Sequence, residues 1–247
     1  MRAHDQELFL NPYPGRTLIV GLTPCGEHYV QIYWTMGRSG NSRNRIFELD
    51  GNSVRNAAFD AAALIDPSLI LYYPVKDVFG THIVSNGDQT DTVYEGLTRG
   101  IPFAQSLSSR EFEPDPPHYT PRISGIVDTG TRSYALSILK TSRDGDPSVC
   151  LRKHYHYDSF KRGIGHCLHT YRGERDGAQL PFDGEPFEAP LFDTLDENAD
   201  YYWSRLNEAN KISLLVKLID TRNFAVSIRI VNKLARSFPD MHTGPGH

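Results

Sequence analysis

The sequence predicts an α+β fold, and three observations carry that prediction. Apolar residues alternate with period two in a hairpin-like pair near the start and in another near the end. Stretches between them place apolar residues at helical spacing instead. No internal repeat and no low-complexity linker divides the 247 residues. One domain over 1–247 is therefore expected, with a core over about 13–235.

"RTLIVGLT" and "HYVQIYWTMG" form the first hairpin, turned at Pro24, Cys25 and Gly26. "GRSGNSRNRIF" is rich in Gly, Ser, Asn and Arg and reads as a loop. Two further strands fall near Ile70 to Pro74 and Thr81 to Ser85. A helix is predicted over "DTVYEGLTRGIPFAQSLSSR", with Thr90 or Asp91 as its N-cap. "YTPRISGIVD" and "SYALSILKT" alternate as a second hairpin, and "SVCLRKHYHYDSF" continues the strand pattern. Gly, Pro, Asp and Glu dominate Arg172 to Pro190, which reads as loop. "NADYYWSRLNEAN" reads as a helix, and "ISLLVKLIDTRNFAVSIRIVN" as two strands turning at Asp220 to Asn223. The tail over about 240–247 is expected to be disordered.

Composition narrows the class. Hydrophobic content of 39% and charged content of 23% fit a soluble globular protein. A net charge of −4 gives no electrostatic footprint for nucleic acid or an anionic membrane. No apolar run approaches the roughly 18 residues that span a bilayer. "MRAHDQELFLNPYPGR" lacks a signal-peptide core, so a cytoplasmic location is expected. Three cysteines, Cys25, Cys150 and Cys167, are too sparse and odd a set for a disulfide framework. Self-association of identical chains is compatible with the sequence, which does not set the oligomeric state.

Four polar clusters could carry chemistry. Arg38, Arg43 and Arg45 lie in a Gly/Ser-rich loop, where a guanidinium fork can bind phosphate, although arginines in loops are usually solvated. "SNGDQTD", from Ser85 to Asp91, sits where a strand gives way to a helix. Asn86, Asp88 and Asp91 there either face an anion or only shape a turn and cap. Glu111 and Glu113 alternate, so they share a face of an extended segment, and Arg122 follows a Pro-rich turn. The bland alternative is a solvated acidic loop. His154, His156, His166, Cys167 and His169 invite a metal reading. Their spacing fits no zinc motif, so no metal is expected, and a structural or substrate-contacting cluster is the better reading.

"YPGRTLIVG", "SRNR", "VSNGDQTDT", "EFEPD" and "YTPRI" in this order resemble the archaeal-type IMP cyclohydrolase family, over roughly Tyr13 to Ile123. The second half, including "GIGHCLHTY", looks like a longer branch of that family. The resemblance implies a four-layer αββα sandwich of the N-terminal-nucleophile hydrolase type, without a processed N-terminal nucleophile. It implies ring closure of a formamido-imidazole-carboxamide ribotide to IMP with loss of water, the last step of purine synthesis, with no cofactor. The implied roles are phosphate binding or substrate orientation for Arg45 (and, less directly, Arg38), and a hydroxyl for the formyl oxygen from Tyr72 or Tyr73. Asn86 and Asp88 would contact base or ribose, Asp91 would shape the helix start, Glu113 (or Glu111) would stand near the carboxamide, and Arg122 would complete the polar wall. The alternatives are a nucleotide-binding protein, or an amide hydrolase or cyclase acting on a related nucleotide.

Overall fold

The computed structural model describes residues 8–64, 67, 70–142, 145–175 and 177–234. Two antiparallel sheets dominate it. The first contains β1 (Thr17–Leu22), β2 (His28–Met36), β10 (Ile164–His169), β13 (Phe187–Pro190), β14 (Lys211–Asp220) and β15 (Val226–Asn232), in the order β13-β10-β1-β2-β14-β15. The second runs in sequence order through β3 (Arg45–Asp50), β4 (Ser53–Ala58), β5 (Tyr72–Val78), β6 (Thr81–Ser85), β7 (Arg122–Asp128), β8 (Ser133–Thr141) and β9 (Cys150–Tyr157). A two-stranded ribbon, β11 (Tyr171–Arg175) with β12 (Ala178–Pro181), stands apart.

Strand alternation explains how the layers stack. Leu18, Val20, Tyr33 and Leu215 of the first sheet meet Val54, Val75, Val84 and Ile123 of the second in one buried cluster. The intervening side chains, Ile19, Ile32, Leu214 and Val216, point the other way and pack on Ala199 and Tyr202 of the helix Leu195–Trp203. On the far face of the second sheet, Ile83 and Leu139 pack on Val93, Phe103 and Leu107. Those residues belong to the helix Gln89–Thr98, the turn Phe103–Ser106 and the segment after it. In chain order the helices are α1 (Gly40–Arg43), α2 (Gln89–Thr98), α3 (Phe103–Ser106) and α4 (Leu195–Trp203). Helix, sheet, sheet and helix thus follow one another, and the α+β class holds.

Several local expectations are corrected. The "GRSGNSRNRIF" loop contains α1, capped by Ser39 in a reciprocal box with Ser42, and then runs into β3. The strand expected over Ile70–Pro74 begins at Tyr72 and continues to Val78, because the turn sits at Phe79 and Gly80. Neither Thr90 nor Asp91 is the N-cap: α2 starts at Gln89, and the Thr90 hydroxyl donates to the Gly87 carbonyl at 3.0 Å. The long helix breaks at Gly100 to Pro102, where Gly100 takes φ +76° and Pro102 cannot continue the ladder. Arg172 to Pro190 is not a plain loop but carries most of β11 together with β12 and β13. The helix expected from Asn198 starts at Leu195, because Thr194 and Glu197 form a capping box, and it ends at Trp203. The 240–247 tail lies outside the described residues. No helix among them is long and apolar enough to cross a membrane.

Candidate active site

One end of the sandwich gathers a cluster of buried polar side chains. The start of β1, the end of β2 and the starts of β3 and β5 all reach this end, and the 110–121 loop folds over it. They bring Arg16, Tyr33, Arg45, Tyr72 and Glu113 together, all 9% exposed or less. The Tyr33 and Tyr72 hydroxyls lie 2.9 Å apart, and Tyr33 stacks on Phe47. Arg45 donates from Nε to the Ser42 carbonyl at 2.7 Å. Arg16 Nη2 approaches Glu113 Oε2 at 3.6 Å, an ion pair too long for a hydrogen bond. Arg16 Nε and Glu113 Oε2 are buried without a hydrogen-bond partner among the described residues.

Charge is the salient property here. Burial lowers the proton affinity of Arg45, and the neighbouring Arg16 guanidinium lowers it further. Arg16 shifts the opposite way: burial is the strongest single influence and opposes its charge, but Glu113 together with Tyr13, Tyr171 and Tyr72 outweighs it. Glu113 is pushed above the ordinary carboxylate range by burial, with Arg16 and Arg122 pulling back. Burial likewise raises both Tyr33 and Tyr72, so each phenol holds its proton and can donate it in a hydrogen bond. In the buried cluster, two guanidiniums, Arg16 and Arg45, therefore stand with one carboxyl group, Glu113. Arg45 has no carboxylate at ion-pair distance among the described residues, which leaves a buried positive charge that an anion could neutralise.

The mouth is a cavity of about 270 Å³, lined by Arg16, Arg45, Arg38, Ser39, Ser42, Thr120 and the tyrosines Tyr13 and Tyr171, among others. Arg38 lies 4.6 Å above the Tyr13 ring and donates to Glu174 Oε2 at 2.7 Å. Tyr13 in turn stacks on Tyr171. The Tyr171 and Thr120 hydroxyls are 2.5 Å apart, and Asp115 accepts from the Thr120 amide and hydroxyl. This lattice fixes the loop that carries Glu113, whose own amide donates to the Thr120 carbonyl at 2.8 Å.

The other sequence candidates divide between scaffold and surface. Asn86 Oδ1 accepts from the Ile123 amide at 2.8 Å and from Gln89 Nε2 at 2.9 Å, and its Nδ2 donates to the Pro121 carbonyl. Asp88 pairs with Arg110 and Arg122 at 2.5 and 2.6 Å; burial alone would raise its carboxyl, yet these partners hold it low. Arg122 also donates to Gln89 Oε1 at 2.7 Å. A Cβ on Gly87 would stand 2.6 Å from Arg122 Nη1 and Gln89 Oε1, so any larger residue there would push these two side chains out of their hydrogen bond. The crowded Ser85–Asp91 turn is thus a bracket that clamps Arg122 against the Glu113 loop. Asp91 is half exposed and pairs with Lys76. Tyr73 alternates away from Tyr72 and donates to Asp50 Oδ2. Glu111 is exposed, 3.9 Å from Arg152.

The histidines are dispersed. His154 and His156 line a groove on the outer side of β8 and β9, His166 Nδ1 meets the Tyr134 hydroxyl at 2.6 Å, and His169 packs edge-on against Phe182. Among the described residues no three His, Cys, Asp or Glu side chains gather as a metal set. Sequence reasoning passed over Arg16, Tyr33 and Tyr171. The available signal for Arg16 was a lone arginine at the head of a strand whose next five residues, Thr17 to Gly21, are all buried.

The sequence model of the family described as "IMP cyclohydrolase-like protein" matches residues 13–223. The chain is 33% identical over 118 residues to an IMP cyclohydrolase of Methanocaldococcus jannaschii, covering 47% of this chain and 57% of that protein. It is 29% identical over 123 residues to that of Methanococcus aeolicus, covering 48% of this chain and 60% of the relative. Against the Methanococcus maripaludis protein the figures are 31% over 120 residues, 47% and 58%. The chain thus spans less than two thirds of the length of the curated relatives it matches.

Proposed function

The chain belongs to the IMP cyclohydrolase-like protein family, and from that premise we propose that it closes the purine ring of IMP. The substrate is 5-formamidoimidazole-4-carboxamide ribotide, a small purine precursor, and the setting is the cytoplasm. One observation carries the reading: two buried guanidiniums, Arg16 and Arg45, stand beside the buried Tyr72 phenol and Glu113 carboxyl. We read the helix-sheet-sheet-helix order as the N-terminal-nucleophile hydrolase type, serving here without such a nucleophile.

The reaction asks for positioning and proton transfer. The carboxamide nitrogen forms a bond to the formyl carbon, and the formyl oxygen leaves as water. One hydrogen of that water comes from the carboxamide nitrogen and the other from the formamide nitrogen. Because both reacting groups sit on one ring, holding them in register removes much of the barrier. Arg45 and Arg38 take the 5′-phosphate at the mouth, and Arg16 orients the polar edge deeper in. The Tyr72 hydroxyl donates to the formyl oxygen as charge develops there. Glu113 receives the proton from the attacking nitrogen and passes it to the departing oxygen. Arg122, clamped by Asp88 and Gln89, holds the Glu113 loop in place. An ultraviolet assay of IMP formation from the formamido ribotide tests the proposal. Purified, folded protein that binds IMP but forms none would reduce it to a nucleotide-binding protein.

A further inference from the structure

Asn56 has a side chain that the fold does not use. It lies on β4, its backbone paired with Phe47 of β3 on one side and Tyr72 of β5 on the other. Val54, Asn56 and Ala58 are buried while Arg55 between them is exposed, so Asn56 faces the other sheet with Val54. It is 2% exposed. Both its Nδ2 and its Oδ1 are buried without a hydrogen-bond partner among the described residues. A buried amide satisfied at neither end is costly, and leucine of similar volume would fill the space at no such cost.

Its neighbours are those of the buried tyrosine pair behind the cavity mouth. Asn56 sits in a cross-strand row with Tyr72, whose hydroxyl meets Tyr33 at 2.9 Å, and with Phe47, against which Tyr33 stacks. Across the gap, the Thr35 and Ser213 hydroxyls, paired in register on β2 and β14, are also buried without partners. Orphaned donors and acceptors thus collect beside the tyrosine pair, whereas Asn86 in the same protein has both ends of its amide engaged.

On the reading of the pocket given above, we propose that Asn56 is a specificity-determining residue that binds the amide edge of the base. An amide presents one donor and one acceptor side by side, and so does the N1–C6 edge of a 6-oxopurine or the carboxamide of its open precursor. The two edges pair reciprocally. A substrate lacking that edge leaves Asn56 unpaired, which is how a buried polar group discriminates.

Calorimetry on wild type, Asn56→Leu and Asn56→Ala tests this with two ligands, IMP and ribose 5-phosphate, alongside thermal melts. The expected result is IMP binding weakened about tenfold or more in both variants, ribose 5-phosphate binding unchanged, and a melting temperature of Asn56→Leu that is unchanged or raised. Asn56→Ala, which only removes atoms, carries the binding readout if Asn56→Leu does not fold. Unaltered IMP affinity in a folded variant would overturn the assignment, as would equal losses for both ligands. Wild-type protein that binds no IMP would defeat the functional reading itself, and the role of Asn56 with it.

Discussion

Tyr33 and Tyr72 reach across the gap between the two sheets until their hydroxyls are 2.9 Å apart. Burial raises both phenols, and Arg45 and Arg16 pull Tyr72 back toward its usual value. Tyr72 is therefore a neutral donor fixed by a second phenol and flanked by cations. Tyr72→Phe should lower kcat about 10²- to 10³-fold, the usual loss for one preorganised donor, with IMP affinity nearly unchanged. Tyr73→Phe, on the opposite face of β5, should leave kcat near wild type. Equal losses in steady-state assays of the two variants would remove Tyr72 from the chemistry.

Arg45 is expected to trade stability for binding. Its removal deletes a charge-assisted contact worth roughly 1.5–3 kcal/mol, or about ten- to a hundredfold in affinity for IMP. It also relieves the repulsion from Arg16. Arg45→Ala should therefore bind IMP weakly in calorimetry while melting no lower than wild type. A large drop in melting temperature with affinity retained would show that the arginine only holds β3 in place.

Glu113 must be ionised to accept a proton, and burial raises its pKa. As pH falls through that raised value the base is lost, so kcat/KM should decline on an acid limb lying above the ordinary glutamate range. Stability runs the other way. A carboxyl with a raised folded pKa favours the native state below its unfolded value, and that contribution is lost as pH rises through the folded one. Glu113→Gln should abolish the acid limb along with most turnover, and should unfold less readily than wild type at neutral pH. A pH–rate profile of unchanged shape in the variant would exclude Glu113 as the base.

Asn86 is predicted to matter for folding. Its amide ties the end of β6 to the start of β7 through two hydrogen bonds, to Pro121 and Ile123, and accepts a third from Gln89 at the start of α2. Asn86→Ala leaves buried backbone groups unpaired, at roughly 2–3 kcal/mol in total, or about 5–10 °C in melting temperature. Turnover of the folded fraction should stay within a few-fold of wild type. A specific loss of turnover at unchanged melting temperature would make Asn86 a substrate contact after all.

His169 sets an acid limit on stability. Burial holds its pKa down at about 4, against an ordinary value of 6.5, with only a hydrogen bond to the Tyr171 carbonyl opposing. The unfolded chain therefore takes up a proton between pH 6.5 and about 4 that the native state refuses, so stability falls as pH drops through that window. The loss from pH 7 to pH 5 should be about 2 kcal/mol from this residue alone. Urea melts at the two pH values should show that difference shrinking in His169→Gln. An undiminished difference would assign the acid sensitivity elsewhere.

The sequence was most legible where a strand buries one face or lies wholly inside. β1, β2, β7, β8, β14 and β15 follow their apolar patterns closely. The β3–β4 hairpin was hidden because "SVRNAA" puts asparagine and alanine at buried positions, and alternation cannot be read from such small and polar side chains. β11, β12 and β13 were hidden by the Gly, Pro and acidic residues around them; among the described residues β11 and β12 pair only with each other, and β13 is set by its pairing with β10. In the pocket, Arg45, Tyr72 and Glu113 carried motif signals. Arg16 looked like a strand flank, and the polar turn at 85–91 looked like a ligand loop. Which polar residue faces a ligand and which braces a backbone depends on hydrogen-bond partners more than thirty residues away, such as Pro121 and Ile123 for Asn86.

The side chain of Asn232, the last residue of β15, accepts from the Phe47 amide at 2.9 Å and donates to the Phe47 carbonyl at 3.0 Å. It imitates a peptide unit and occupies the outer rim of β3, where another strand would otherwise dock. The seven-stranded sheet is consequently polarised. One border is plugged by β15, the last strand among the described residues, while β9, over Cys150–Tyr157, ends the order at the opposite border. Growth of this sheet by strand addition, whether into an ordered pair of chains or a misassembled polymer, is thereby directed to β9. Loss of the Asn232 amide would open a second border beside Arg45, so that any tendency to polymerise and damage to the pocket would arise together.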